Sequence, residues 1–241
     1  MSDIYFVIDG KQVKGQKGQT ILEAADDNGV YIPRLCHFKG LTPYGSCRVC
    51  TVQVNSRPQA ACTTPVTPGM IVENDSDRIT AFRKDLIEML FVEGNHYCMF
   101  CEKSGNCELQ ALAYRFGIAA PKYPYMFPER TVDATHKDVF IDHNRCVLCA
   151  RCVRASKERD GKNVFQFVHR GPQRRIAFNS DVNLKDTDLE VADAAVEVCP
   201  VGAILRKHEG YRTPVGQRLY DDQPIGSDIE AATQGSTQAE E

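Results

Sequence analysis

Eleven cysteines constrain this 241-residue chain more than anything else in it, because they fall into three groups with none left over. An odd number of thiols cannot all pair within one chain. The N-terminus, MSDIYFVIDG, has no basic start, apolar run or small-residue cleavage site. The expected setting is therefore a reducing cytoplasm, where disulfides are rare. Metal is the use that accounts for thiols grouped in this way.

The most informative group is Cys146, Cys149 and Cys152, in NRCVLCARCVRASKERDG. Cysteines recurring every third residue can grip three corners of a cubane from one tight loop, and in two-cluster ferredoxins the fourth cysteine of such a run serves the other cluster. Here the fourth position is Ser156, and the distant cysteine is Cys199, followed by Pro200 in VEVCPVGAI. Counting back from Cys199 by the same spacing gives Ala195, Ala192 and Leu189, where a second cluster would need its cysteines. The motif reads as a ferredoxin pair with one cluster deleted and Cys199 kept for the other. A zinc site explains neither the triple run nor the distant Cys-Pro. Cys146, Cys149, Cys152 and Cys199 are therefore expected to hold one [4Fe–4S] cluster.

The first group, Cys36, Cys47, Cys50 and Cys62, is spaced C-x10-C-x2-C-x11-C. A close pair with two distant partners suits a four-thiolate [2Fe–2S] centre, and these gaps also permit a structural four-cysteine zinc site. Gly45 and Ser46 are small enough for backbone N–H groups to approach the sulfides. The middle group has only Cys98, Cys101 and Cys107, in GNHYCMFCEKSGNCELQ. A cubane there either leaves one iron open or takes a ligand other than cysteine. His96, two residues before Cys98, is the nearest candidate. Its alternative is a packed histidine beside a three-cysteine zinc site. An imidazole is neutral where a thiolate is negative, so ligation by His96 would alter the cluster's potential. His37 adjoins a group already complete in sulfur and reads as supporting; His136, His143, His169 and His208 have no ligand spacing. The basic stretch HRGPQRR (169–175) reads as a solvated strand end.

Around these groups the pattern suits an α+β fold. Residues 4–9 and QVKGQ read as strands, Thr20 with Glu23 as a capping box opening a short helix, and CTVQVN and MIVEN as further strands. Ser76 or Asp77 caps a helix to about residue 92, with Ile79, Phe82, Leu86, Met89 and Leu90 as its core stripe. A second helix follows Asn106. Residues 118–136 hold three prolines and little periodicity and read as a linker or wrapping segment. Beyond 138 the chain reads as a strand at DVFID, a helix at CARCVRASKER, a strand pair at VFQFVHR and RRIAFN, a helix at DTDLEVADAAVEV and a strand at AILRK. The stretch from Tyr211 carries few basic residues and ends in GSTQAEE, so it is expected to be disordered or ordered only on a partner. Neither a G-x-G-x-x-G nor a Walker A sequence is present, and the net charge of −3 points to no nucleic acid. LIEMLFV, the longest apolar stretch, is far short of a bilayer span.

The order of these groups resembles the electron-relay unit of three protein groups: the N-terminal part of the large NADH-dehydrogenase subunit of respiratory complex I, the N-terminal region of iron-only hydrogenases, and the small diaphorase subunits of NAD-reducing nickel–iron hydrogenases. The resemblance covers residues 1 to about 210. It implies a β-grasp [2Fe–2S] ferredoxin-like domain over 1–77, a helical [4Fe–4S] segment over 78–117, a linker over 118–137, a bacterial-ferredoxin-like [4Fe–4S] domain over 138–210 and a tail over 211–241. It implies one [2Fe–2S] cluster on Cys36, Cys47, Cys50 and Cys62, a [4Fe–4S] cluster on His96, Cys98, Cys101 and Cys107, and another on Cys146, Cys149, Cys152 and Cys199. FMN and NAD belong, on this resemblance, to a flavin/NAD-binding diaphorase subunit, and hydrogen chemistry to nickel–iron hydrogenase small and large subunits. No catalytic residue is expected on this chain itself. Complex I and iron-only hydrogenase chains continue into a large further domain, whereas this one ends after its third group. Many relatives also place the histidine four residues before the first cysteine of its group, where this chain has Gly94; the GNHYC form resembles the soluble hydrogenase subunit. A relay in an NAD-dependent formate dehydrogenase or in complex I is the alternative within this class, and a zinc-stabilised scaffold without redox role is the alternative outside it.

Overall fold

The computed structural model describes residues 3–180 and 182–231. Its first part comprises β1 (Asp3–Ile8), β2 (Lys11–Gln16), α1 (Ile21–Asp27), β3 (Thr51–Val54), β4 (Arg57–Ala60) and β5 (Ile71–Glu73). The strands form one sheet in the order β2-β1-β5-β3-β4, with β1 parallel to β5 and the other pairs antiparallel. The expected capping box opens α1: Thr20 Oγ1 accepts from the Glu23 N–H at 3.2 Å, and Glu23 Oε2 accepts from the Thr20 N–H at 2.8 Å. The helix then buries Ile21, Leu22, Ala24 and Ala25 against Phe6, Ile8, Val13, Val52 and Val72 of the sheet. The pattern did not mark β4, which contains Pro58; it lies at the sheet edge, where a missing N–H is tolerated.

Ser76 caps α2 (Asp77–Val92) by accepting from the Ile79 N–H. The expected core stripe is corrected for Phe82 and Met89, which are exposed, whereas Arg83 and Ile87 are buried. The reason is polar. The Arg83 guanidinium donates to the carbonyls of Val49 at 3.1 Å, Thr51 at 3.0 Å and Asn74 at 2.9 Å, and to Asn74 Oδ1 at 2.8 Å. These bonds satisfy backbone oxygens at the entry to β3 and just past β5 and turn that face of the helix inward.

The helix α3 (Glu108–Arg115) follows the middle cysteines. Beyond it come β6 (Val132–Asp133), β7 (Val139–Asp142), α4 (Arg151–Glu158), β8 (Phe165–Val168), β9 (Arg175–Phe178), α5 (Ala194–Glu197) and β10 (Ile204–Arg206). Strands β10, β7 and β6 make a small antiparallel sheet, and β8 with β9 a hairpin. Two expectations are corrected here. The stretch read as a linker supplies β6, and the helix read over 186–198 is regular only at α5. The Asp160 carboxylate accepts from the Ala194 and Ala195 N–H groups at 2.9 and 3.0 Å and so starts the helix there; the Asp193 carboxylate is engaged with Lys162 and the Glu190 N–H.

A third correction concerns the tail. Residues 211–231 fold back on the chain and end in α6 (Ser227–Ala231). Tyr220, Ile225 and Ile229 pack on the core, the Tyr220 N–H donates to the Gly105 carbonyl at 3.0 Å, and Arg115 pairs with Glu230. The acidic composition concealed these few apolar anchors. Residues 232–241 lie outside the described residues. Replacing Arg83 with Met should lower stability by about 3 kcal/mol, since each buried carbonyl left unpaired costs about 1–3 kcal/mol. The check is the denaturant midpoint of the metal-loaded chain, and an unchanged midpoint would refute the role given to Arg83.

Candidate metal centres

The first group is assembled by the loop after α1 and the two turns flanking β3 and β4. Cys36 lies on the loop, Cys47 and Cys50 on the turn entering β3, and Cys62 just past β4. That turn is wound by positive φ at Gly45 (70°) and Arg48 (60°), and a Cβ at Gly45 would meet Thr63 Cγ2 at 3.1 Å. The Cys36 N–H donates to Cys47 Sγ at 3.3 Å, and the Ala61 N–H to the Cys50 carbonyl at 3.1 Å. Hydrogen bonds from the Cys47 and Cys62 thiols hold Cys36 well below the ordinary thiol range, and one from Cys62 lowers Cys50. Cys47 and Cys62 are raised in return by the same bonds. Four sulfur donors, three of them buried, brought together by these neighbouring turns fit a cationic metal core.

The middle group lines a cavity: His96, Cys98, Cys101 and Cys107 surround it with Phe91 and Arg145. Asn95 ties the segment carrying His96 to the turn after β7, its N–H donating to the Asn144 carbonyl and its Nδ2 to Asn144 Oδ1, both at 2.8 Å. His96 Nε2 is buried and has no partner among the described residues. Burial, helped by Arg130 and Arg145, pushes the imidazole down to about 4, so it is neutral and free to ligate. A Cβ built at Gly94 would lie 2.7 Å from that same Nε2. The imidazole of His96 therefore fills the space toward which a side chain at position 94 would point. Burial raises all three thiols, Cys107 to about 12. Arg145 Nη1 lies 3.6 Å from Cys101 Sγ, and the guanidinium is held by Glu102 at 2.9 Å and Asp142 at 3.0 Å.

The third group depends on an unusual backbone. Leu148, between Cys146 and Cys149, and Ala150, between Cys149 and Cys152, take φ of 51° and 62°. Left-handed conformation costs such residues about 1–2 kcal/mol each. Here it curls the loop so that Cys146, Cys149 and Cys152 face inward at the start of α4, while α5 brings Cys199 up to them. Burial raises Cys146 to about 11 and Cys149 to about 12. Ser156, at the vacant fourth position, has a structural duty: its Oγ accepts from the Val164 N–H at 2.8 Å. Leu189 and Ala195, where a second cluster's cysteines would fall, are buried in the apolar core.

Among the described residues no three His, Cys, Asp or Glu side chains converge on a point that would hold a single ion. His37 joins the site through its carbonyl, not its ring. His136 is a clamp, with Nδ1 accepting from the Asp138 and Val139 N–H groups at 3.2 Å. In the basic stretch, Arg174 stacks 3.8 Å over Phe167 and donates to Tyr44 Oη at 2.9 Å. What the sequence reading missed is a set of arginines beside the cysteines. Arg154 donates to the carbonyls of Cys36 and Thr42, and Arg130 to that of Cys146. Arg151 bonds the carbonyls of His37 and Val198 and the Glu108 carboxylate. Only Arg151, directly before Cys152, carried a signal in the sequence; Arg130 and Arg154 carried none.

Comparison with known proteins matches the three parts in order. Residues 2–77 match a 2Fe-2S iron-sulfur cluster binding domain, 83–122 the NADH-ubiquinone oxidoreductase-G iron-sulfur binding region, and 137–205 the ferredoxin-like domain of NADH-quinone oxidoreductase subunit 3. The chain is 41% identical to the NAD-reducing hydrogenase HoxS subunit gamma of Cupriavidus necator, over 92% of this chain and 95% of that one. It is 31% identical to the mitochondrial NADH-ubiquinone oxidoreductase 78 kDa subunit of Candida albicans, covering 98% of this chain but 34% of that protein. A chain in a crystal structure of NAD+-reducing [NiFe]-hydrogenase in the H2-reduced state superposes with a TM-score of 0.90 at 44% identity, over 92% of this chain and 95% of that one.

One glycine gives a sharp test of the middle centre. A Cβ at Gly202 would lie 2.5 Å from Cys101 Sγ. Gly202→Ala should push that sulfur out of the cavity and cut the metal retained by the middle group, measured by metal analysis of the purified chain; full retention would overturn the geometry.

Proposed function

The chain belongs to the gamma-subunit family of NAD-reducing hydrogenases, and on that footing we propose that it is the iron–sulfur electron-transfer subunit of such a complex. It carries electrons between a hydrogen-oxidising nickel–iron module and a flavin/NAD module, and it is an enzyme component only as part of that assembly. The observation that carries this reading is that cysteines of all three groups, Cys47, Cys107, Cys146, Cys152 and Cys199, adjoin one continuous apolar core. One apolar core shared by all three groups gives their centres a common water-poor surrounding, as a relay needs.

The ligands we assign are Cys36, Cys47, Cys50 and Cys62 for one [2Fe–2S] cluster in a β-grasp domain over 1–77; His96, Cys98, Cys101 and Cys107 for a [4Fe–4S] cluster in the helical segment over 78–117; and Cys146, Cys149, Cys152 and Cys199 for a second in the ferredoxin-like domain over 138–210. When bound, such clusters supply one-electron storage and transfer, which no side chain of this chain offers. The residues themselves bury the donors, keep water out and fix each loop. The partnerless Nε2 of His96, in the cavity lined by Cys98, Cys101 and Cys107, supports its ligation. FMN and NAD belong on the diaphorase partner, and nickel on the hydrogenase large subunit. The complex belongs in the cytoplasm, where thiols stay reduced and open to metal. No helix among the described residues is long and apolar enough to cross a membrane.

Anaerobic isolation of the native complex, with analysis of metals and flavin, tests the whole reading. Nickel and flavin are expected; molybdenum or tungsten would move the chain to a formate dehydrogenase. The purified chain should carry about ten irons with matching sulfide, whereas about three zincs and no colour would sink the relay. His96→Ala should shift the potential of one cluster or abolish its paramagnetic signal while the other two persist. A variant with unaltered signals and potentials would remove His96 from the ligands.

A further inference from the structure

Arg151 stands between Cys149 and Cys152, and its guanidinium reaches the neighbour of a cysteine in each other group. Nη2 donates to the carbonyl of His37, beside Cys36, at 2.7 Å. Nη1 and Nη2 together clasp the carboxylate of Glu108, beside Cys107, at 2.5 and 2.6 Å. Nη1 also approaches the carbonyl of Val198, beside Cys199, at 3.4 Å. The same junction is closed by the Glu108 N–H, which donates to the Pro200 carbonyl at 2.9 Å. Arg151 is 2% exposed and its Nε has no partner among the described residues.

The two members of the pair differ in depth. The Arg151 side chain is 3% exposed and that of Glu108 23%. Solvent screens the carboxylate more than the guanidinium, so the buried surroundings feel a net positive charge. Reduction of any centre nearby adds one negative charge to a water-poor site, and a fixed cation makes that addition easier. Removing Glu108's charge should therefore favour reduction, and removing Arg151's should oppose it. A purely structural clamp predicts no such opposition in sign.

Resting on the ligand assignment above, we propose that Arg151, oriented by Glu108, is a positioning residue that sets the reduction potentials of the centres held by residues 96–107 and 146–199 while fixing the 36–62 loop against them. The experiment is a redox titration, followed by electron paramagnetic resonance, of the assembled complex carrying Glu108→Gln, Arg151→Gln or Arg151→Lys. Iron and sulfide content is measured on every sample. Glu108→Gln should shift both centres to more positive potential by at least tenfold in the reduction equilibrium, about 59 mV for one electron. Arg151→Gln should shift them negative by a similar factor, and Arg151→Lys, which keeps the charge, should stay near the unaltered complex. Glu108→Gln changes no side-chain size and decides the matter if Arg151→Gln loses its centres. Unmoved potentials, shifts of one sign in both variants, or loss of iron from Glu108→Gln would each overturn the proposal. Iron well below about ten per chain in the unaltered complex would instead overturn the ligand assignment.

Discussion

A sulfur donor taken out of water must either keep its proton or find positive charge, and that requirement organises this molecule. Burial pushes the thiols of the middle group and those of Cys146, Cys149 and Cys152 upward, Cys107 and Cys149 to about 12. The cationic metal core that would displace those protons therefore contributes directly to folding. In the first group hydrogen bonds between sulfurs divide the charge instead, lowering Cys36 and Cys50 at the expense of Cys47 and Cys62. The left-handed residues Leu148 and Ala150 are strained by the same demand, because only a curled loop turns three cysteines spaced this closely to one side.

The loops that carry the sulfurs have little regular structure, so something else must hold them. Arginines do much of this. Arg83 fastens the backbone around Cys50 to α2, Arg154 holds the Cys36 carbonyl, Arg130 that of Cys146, and Arg145 lies against Cys101. A guanidinium is suited to holding such loops because it stays charged, offers five donors in a plane, and satisfies buried carbonyls that no helix or sheet supplies with partners. Long-range apolar packing completes the frame, and the segment from Tyr220 to Ile229 closes it by folding back across α3.

Membership in the hydrogenase gamma-subunit family and similarity to a complex I subunit place one architecture in two settings, with this chain spanning nearly the whole of the former and about a third of the latter. The middle centre is where the chain departs from the pattern expected of many relatives. A Cβ at Gly94 would meet both His96 Nε2 and the Asn144 carbonyl oxygen at 2.7 Å, so position 94 has room for glycine alone while His96 stands beside the three cysteines.

The cysteine groups, their order, the capping box at Thr20, the helix start at Ser76 and most strands were legible in the chain itself, because each rests on residues close together along it. The structure brings Cys199 into one core with Cys152, a proximity that a spacing rule anticipated across the intervening loop. The edge strand at Pro58, the shortened helix at Ala194 and the ordered segment beyond Tyr211 were not legible, since a sheet neighbour, the Asp160 carboxylate and a few apolar anchors decide them from a distance. The same holds for Arg83 and Arg151. A buried guanidinium has no period and no motif, and only the folded chain determines which carbonyls need its donors and which sulfurs come to lie beside its charge.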